Sequence, residues 1–329
     1  MSALARIDRG LWLRIILSIV LLVAGSILID GFATTATLAS ITENVGLIGL
    51  VAAGLMLTMV VGQLDIAVAS VAAVSGIIAL LAGQNSLLLG IVAALAAAGV
   101  YGGVIGWIIA RTGVSSLVLT VCMLIGLRGL ALVLVPQAPA ILSDDLFWVS
   151  DGLVARIGPT SLLGVIGLVI IIALGLAMRG TRLGLSMYAV GGNVERARGS
   201  GVNTTRVYVA AFAGSALLAG TAGILASLRS GSASGTGMDS LLLDGVTAAV
   251  VGGVSLEGGR GNIINVLLGA LIVRIIAAAV ALEGVQSSVE SIATGGVLLA
   301  MLLVDYALAR RSGLPFANSW RVLAGPVRI

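Results

Sequence analysis

Long apolar runs separated by short polar segments make up nearly the whole chain from Leu11 onward. A lipid interior offers no hydrogen-bond partners, so such a run must satisfy its own backbone, as a helix does. About 20 mostly apolar residues suffice for a crossing, within a working range of roughly 17–25. By that rule, spans fall near 11–29, 44–61, 66–82, 87–110, 114–135, 161–178, 207–228, 241–256, 263–281 and 289–309. The expected fold is an all-α polytopic transmembrane bundle of about ten spans over residues 1–310, with a short tail at 311–329. Composition agrees. Hydrophobic residues reach 59% and mean hydropathy is +1.19, and 46 glycines in 329 residues suit close helix–helix approach in lipid. The junctions at 62–65 and 257–262 are short enough to be either loops or breaks inside the membrane.

Charge sets the expected sidedness. The stretch 179–206 carries five arginines and one acid, Glu195, in a chain that is only 10% charged. An arginine excess beside a span marks the cytoplasmic face. With the N-terminus inside, Arg6, Arg9, Arg111, the 179–206 loop, Arg260, Arg310 and Arg311 all fall on that face. Asp30, Glu43, Asp144, Asp145, Asp151, Asp239, Asp244 and Glu283 fall opposite, accompanied by Arg156 and Arg229. Both termini are therefore expected to be cytoplasmic. The apolar run after Arg6 and Arg9 contains Trp12 and Arg14 and lacks a convincing cleavage site, so it reads as a retained first helix. Pro136 and Pro139 end the fifth span, and Phe147-Trp148-Val149 is a plausible interfacial anchor in the loop that follows.

Two absences restrict the chemistry. All 18 basic residues are arginines, and there is no histidine. Without lysine there is no complete Walker A loop and no Schiff base; without histidine the commonest general base is missing. Metal sites lose their favoured ligand, and the sole cysteine, Cys122, lies in an apolar run. No enzyme activity, metal site or nucleic-acid partner is expected. ATP, if used, is hydrolysed on another subunit.

Four places carry polar or glycine patterns inside this apolar background. In the 179–206 loop, Gly191-Gly192-Asn193 precedes Val194-Glu195-Arg196-Ala197-Arg198, and Gly199, Ser200 and Gly201 follow. Asparagine as N-cap and an acid in the first turn describe a surface helix of about two turns. Such a helix either docks a partner or simply fixes topology against anionic lipid. The second place, Gly252-Gly253 through Gly258-Gly259-Arg260-Gly261, is either a tight turn serving helix packing or an unwound stretch lining a path. The third, Gly62-Gln63-Leu64-Asp65 with Ser70, is comparable. Both breaks follow a Val-Val-Gly, at 60–62 and 250–252, a hint of duplicated halves. Asp65 either caps the next helix or faces a polar path. The fourth place is a set of charges within spans: Arg14 and Asp305, which lie near helix ends and can snorkel, and the deeper Arg128 and Arg274.

On these residues the chain resembles the permease subunits of carbohydrate ABC importers, the ribose/xylose/arabinose-type family that includes the autoinducer-2 permeases. Four ordered blocks across roughly residues 40–306 carry the likeness. They are Gly62 to Ser70, similar to Gly-Gly-Ile-Asp-Leu-Ser-Val-Gly-Ser; Thr120 to Arg128-Gly129-Leu130; Tyr188 to Val202; and Asp244 to Gly261. The resemblance implies a pore formed by two permeases, identical or paralogous. It implies a cytoplasmic ATPase that holds ATP and magnesium, and an external solute-binding protein that delivers a sugar. It also implies that Gly191, Gly192, Asn193, Glu195, Ala197, Arg198, Ser200 and Gly201 form the ATPase dock. Asp65, Ser70, Thr120 and Arg128 become candidates for contact with the pathway or for its support. The site expected is the cytoplasmic membrane of a bacterium, in a lipid bilayer.

The departures are local. Gln63, Ala67 and Ala69 replace a glycine, a serine and a glycine, while Val194 and Gly199 replace an acid and a leucine of the docking segment. Ser115-Ser116 stand where prolines are frequent. A branched-chain amino-acid ABC permease and an ion-coupled secondary transporter are the alternatives. The latter needs intramembrane carboxylates, and the spans offer only Asp65 and Asp305.

Overall fold

The computed structural model describes residues 9–284 and, beyond them, 289, 292–296, 299, 300 and 303. Nine of the ten expected spans fall on helices: α1 (Arg9–Leu28), α2 (Thr35–Val60), α3 (Val68–Gly83), α4 (Leu87–Thr112), α5 (Ser116–Leu134), α7 (Leu162–Gly180), α10 (Thr204–Ser230), α11 (Asp239–Val251) and α12 (Ile263–Leu282). Between them lie three shorter helices, α6 (Phe147–Val154), α8 (Arg182–Gly192) and α9 (Val194–Gly199). The tenth expected span, Asp305 and both chain ends lie largely or wholly outside the described residues. Strands among the described residues amount to two small antiparallel ladders, 140–141 with 232–233 and 156–157 with 160–161.

Seven of these helices are long and apolar enough to cross a membrane. The other two are shorter than a full crossing, α3 as its apolar run predicts and α11 by ending early. α3 has 16 residues, about 24 Å at the helical rise, and α11 has 13. The expected eighth span, 241–256, stops at Val251, because Gly252 onward turns away. Each junction thus adjoins one helix shorter than a crossing, α3 after the first and α11 before the second.

α2 and α11 end in the same way. At the first break, Gly62 (φ 75°) donates to Met59 O at 2.9 Å and Gln63 N–H donates to Thr58 O at 2.9 Å. At the second, Gly253 (φ 75°) donates to Val250 O at 2.7 Å and Val254 N–H donates to Ala249 O at 3.0 Å. In this pattern a left-handed glycine closes the orphan carbonyls of a helix end. It equates Gly62 with Gly253. The repeated Val-Val-Gly instead equates Gly62 with Gly252, so the structural correspondence is shifted by one residue from the sequence one.

α2 is the axis of the bundle. From Val45 to Val60 every residue is buried, and α7, α10, α11 and α12 pack around it. Small residues let these helices close. A Cβ on Gly54 would meet Ser215 O of α10 at 3.0 Å, and one on Gly167 of α7 would meet Gly46 Cα at 2.7 Å. Where lipid removes the hydrophobic drive between helices, such close approach supplies the packing energy.

Arg14 does not snorkel. It is buried, and its Nε donates to Val251 O at 2.6 Å, so that α1 places a cation at the C-terminal end of α11. That position is stabilised by the negative end of the helix dipole. A charge that reads as a membrane-end residue is thus the pin of the second break.

The bundle has two chemically different ends. α4 and α10 run antiparallel, with Gly106 against Tyr208 and Val209 and Gly102 against Phe212. This puts Arg111 at the same end as the 179–206 stretch. At the other end, Leu142 N–H donates to Gly231 O (2.9 Å), Ser150 Oγ–H to Arg229 O (2.9 Å) and Thr42 Oγ1–H to Pro159 O (3.3 Å). Glu43, buried in α2, pairs there with Arg229, and Trp148 projects from α6, 70% exposed. The arginine-rich and acid-rich segments of the sequence are therefore gathered at opposite ends in space.

Candidate coupling site

The arginine-rich end is built around one residue that ends a helix and starts another. Asn193 terminates α8 in extended conformation, and its Oδ1 accepts from Arg196 N–H at 2.8 Å, capping α9. Val202 N–H then donates to Ala197 O (3.1 Å), with Gly201 left-handed at φ 82°, and Ser200 Oγ–H donates to Arg196 O (3.0 Å). Local sequence alone requires this geometry: an asparagine cap, five helix-compatible residues and a left-handed glycine stop. Ala197 is buried and fixes α9 to the bundle, while Glu195, Arg196, Arg198, Gly199 and Ser200 are exposed. The result is a short, rigid knuckle carrying polar groups outward.

Beneath it lies a contact that has no precedent in the linear sequence. Gly191 faces Val60, the last residue of α2, so closely that a Cβ would overlap Val60 O and stand 2.5 Å from Gly259 N. Gly259 N–H donates to that same Val60 O at 2.8 Å. A Cβ on Gly258 would meet Gly191 O at 2.8 Å and Gly62 Cα at 3.0 Å, and one on Gly259 would meet Gly192 Cα at 3.0 Å. Three segments thus meet backbone to backbone: the end of α2, the end of α8 and the 252–262 turn. Gly261 packs on Val60 and Met56, and Tyr188 Oη–H donates to Gly261 O at 2.8 Å. Burial raises the Tyr188 hydroxyl above its ordinary pKa, against the opposing pull of Arg179, so it remains a donor across the physiological range. The turn itself is closed by backbone, Ser255 N–H to Arg260 O at 3.1 Å, and Gly252 lies against Asn265 O. Glycine pairs at 191–192 and 258–259 were the visible signal of this junction, but nothing in the sequence says that they touch.

Of the pathway candidates, three stand together and one apart. Asp65 is buried. Its Oδ1 accepts from Ala67 N–H at 3.1 Å, and its Oδ2 accepts from Ser215 Oγ–H of α10 at 3.2 Å. Leu64 N–H donates to Ser116 Oγ and Ile66 N–H to Thr120 Oγ1, each at 3.2 Å, while Ser70 Oγ–H donates to Leu124 O at 2.9 Å. The unwound 62–67 backbone thus finds hydrogen-bond partners in side chains of α5 and in Asp65 itself, whose carboxylate Ser215 of α10 holds in place, which is how irregular backbone is satisfied when buried in protein. Arg128 lies elsewhere on α5, in an ion pair with Asp239 at 3.1 Å. Arg274 faces Asp244 across α11 and α12 at 3.9 Å. Ser116, Ser215 and Asp239 are participants that sequence reasoning missed, since ordinary serines and a loop acid carry no periodic signal.

A bundle of apolar helices long enough to cross a membrane, with a glycine-rich junction and a rigid polar knuckle at one end, has the form of a membrane transport subunit. The family model described as a branched-chain amino acid transport system permease component matches residues 37–303. The chain is 31% identical to the L-arabinose ABC transporter permease protein AraH of Azospirillum brasilense over 92% of its length and 91% of that protein's. It is 32% identical to the ribose import permease protein RbsC of Escherichia coli K12, over 78% of this chain and 81% of that one. The galactofuranose transporter permease protein YtfT of the same organism is also 32% identical, over 69% and 67%. No solved structure matches the chain. The chain belongs to this family of ABC importer permeases, of the ribose/arabinose type.

Proposed function

We propose that the chain is the membrane-spanning half of an ATP-driven importer that carries a sugar, delivered from outside by a solute-binding protein, into a bacterial cell. The observation that carries the sugar is the set of relatives, named for L-arabinose, ribose and galactofuranose. The family description names branched-chain amino acids instead, which makes these the second reading. The ion-coupled alternative is set aside, because the family is one of ABC permeases. The arginine-rich end faces the cytoplasm by the positive-inside rule. The absence of lysine agrees with nucleotide binding on a separate ATPase.

In this reading the ATPase grips α9 through Glu195, Arg196 and Arg198. Movement of the knuckle then passes through Gly191 directly to the end of α2, the most buried helix, and through Gly192 and Gly259 to the second break. Asp65, Ser70 and Thr120 support the first break. The double variant Glu195→Ala/Arg198→Ala is expected to insert normally and to lose sugar-stimulated ATP hydrolysis and uptake together, measured in vesicles with the partner subunits. Wild-type stimulation in that variant would remove α9 from the coupling path. A wild-type assembly that takes up leucine and no pentose would replace the sugar reading with the amino-acid one.

A further inference from the structure

Arg128 and Asp239 form an ion pair that is half in the open. The two side chains are 44% and 54% exposed, yet Arg128 stands twelve residues inside α5, a helix long and apolar enough to span the membrane. At the helical rise it lies about 9 Å short of the helix end at Leu134. Charges at that depth do not face hydrocarbon; they face protein or water. The residues beside the pair leave room: Ile125, one turn below Arg128, is 65% exposed, Gly126 and Gly129 have open space where a Cβ would stand, and Ser240 beside Asp239 is exposed. One turn and a half further along α11, Asp244 faces Arg274 of α12. α11 therefore carries two carboxylates, each set against an arginine of a different neighbouring helix.

We propose that the Arg128–Asp239 pair stands in the water-filled solute path and is a docking station for vicinal hydroxyl groups. A planar guanidinium donates two parallel hydrogen bonds, and a carboxylate accepts two. Adjacent hydroxyls of a polyol, each both donor and acceptor, can insert between them and exchange the 3.1 Å ion pair for four neutral-to-charged hydrogen bonds. An apolar solute has nothing to give in return. The pair thus selects polyhydroxylated solutes after release from the binding protein, and the ion pair re-forms behind the departing sugar. This inference rests on the sugar-import reading for its solute; the exposed charges of the pair, which hydrocarbon would not tolerate, are what call for water.

The test has two arms, both in the complete transporter. In a Cys122→Ser background, Ile125→Cys and Ser240→Cys are expected to react with a membrane-impermeant thiosulfonate, and Val100→Cys, on the exposed face of α4, is not. The second arm measures maximal uptake of L-arabinose, D-ribose and methyl 2-deoxy-D-ribofuranoside, a deoxy sugar locked in a ring form that has no adjacent hydroxyls. Asp239→Asn is expected to lower uptake of the fully hydroxylated sugars about tenfold, the loss of one good hydrogen-bonded contact, and that of the deoxy sugar much less. The reversed pair Arg128→Asp/Asp239→Arg restores the ion pair but not the preference. Protection of both cysteines, as by a second subunit seated on the pair, would overturn the proposal. So would a reversed pair with wild-type rates and preference, which would make the pairing purely structural. If the wild-type transporter takes up none of the three sugars, the sugar reading fails, and the labelling still decides whether the pair faces water.

Discussion

Replacing Gly191 by alanine is expected to abolish coupled transport. The new methyl would overlap Val60 O and crowd Gly259 N–H, so the hydrogen bond between those two groups could not survive in place. Overpacking against flexible side chains costs about 1–3 kcal/mol, and here the obstacles are backbone atoms that cannot rotate aside. The bundle can accommodate the methyl only by lifting α8 away from the end of α2. That separation breaks the route from α9 to α2 while leaving α9 itself intact. ATP hydrolysis by the assembled transporter should then continue without sugar stimulation, and uptake should vanish. Gly180→Ala is the matched control, since a Cβ there meets nothing within 4 Å and the residue lies outside α8 and α9. Wild-type uptake by Gly191→Ala, with the protein present at normal levels in the membrane, would show that the junction transmits nothing.

Removing Arg229 is expected to have the largest effect on stability. Its partner Glu43 is buried in α2, only 8% exposed as a side chain, whereas Arg229 keeps a third of its surface. Breaking a buried pair from one side costs about 3–5 kcal/mol, because the remaining charge is left uncompensated. The exposure of Arg229 places this pair toward the lower figure. Arg229→Ala should therefore lower the midpoint of thermal unfolding in detergent. The double variant Glu43→Gln/Arg229→Gln should recover most of the loss, since no lone charge remains. A double variant as unstable as the single one would show that packing of the arginine stem, not its charge, holds this end together.

How far the sequence reached depended on distance along the chain. The apolar runs place nine helices, and the Asn193 cap, the Gly201 stop and the exposed acid and arginines of α9 follow from neighbours within a few residues. The length of α11 did not follow, because an apolar run does not reveal where a backbone unwinds within it. Asp65 was legible as a cap or a path residue, and its Ala67 contact is indeed local. Its bond to Ser215, 150 positions away, is not. Arg14 is the clearest case. From flanking residues it reads as a charge near a helix end, yet it closes the end of α11, 237 positions on.

By itself, then, the sequence determined the all-α membrane class, the segregation of arginines from acids and the local form of the α9 knuckle. Each of these follows from hydropathy, charge or hydrogen bonding among near neighbours, which any fold must respect. Only the tertiary structure decided that Gly62, Gly191 and Gly259 meet at Val60, that Arg14 pins the second break, and that Arg128 finds Asp239. Glycine permits close approach without specifying its partner, and a buried charge requires a partner without naming it. Those choices are made when helices distant in sequence pack around α2.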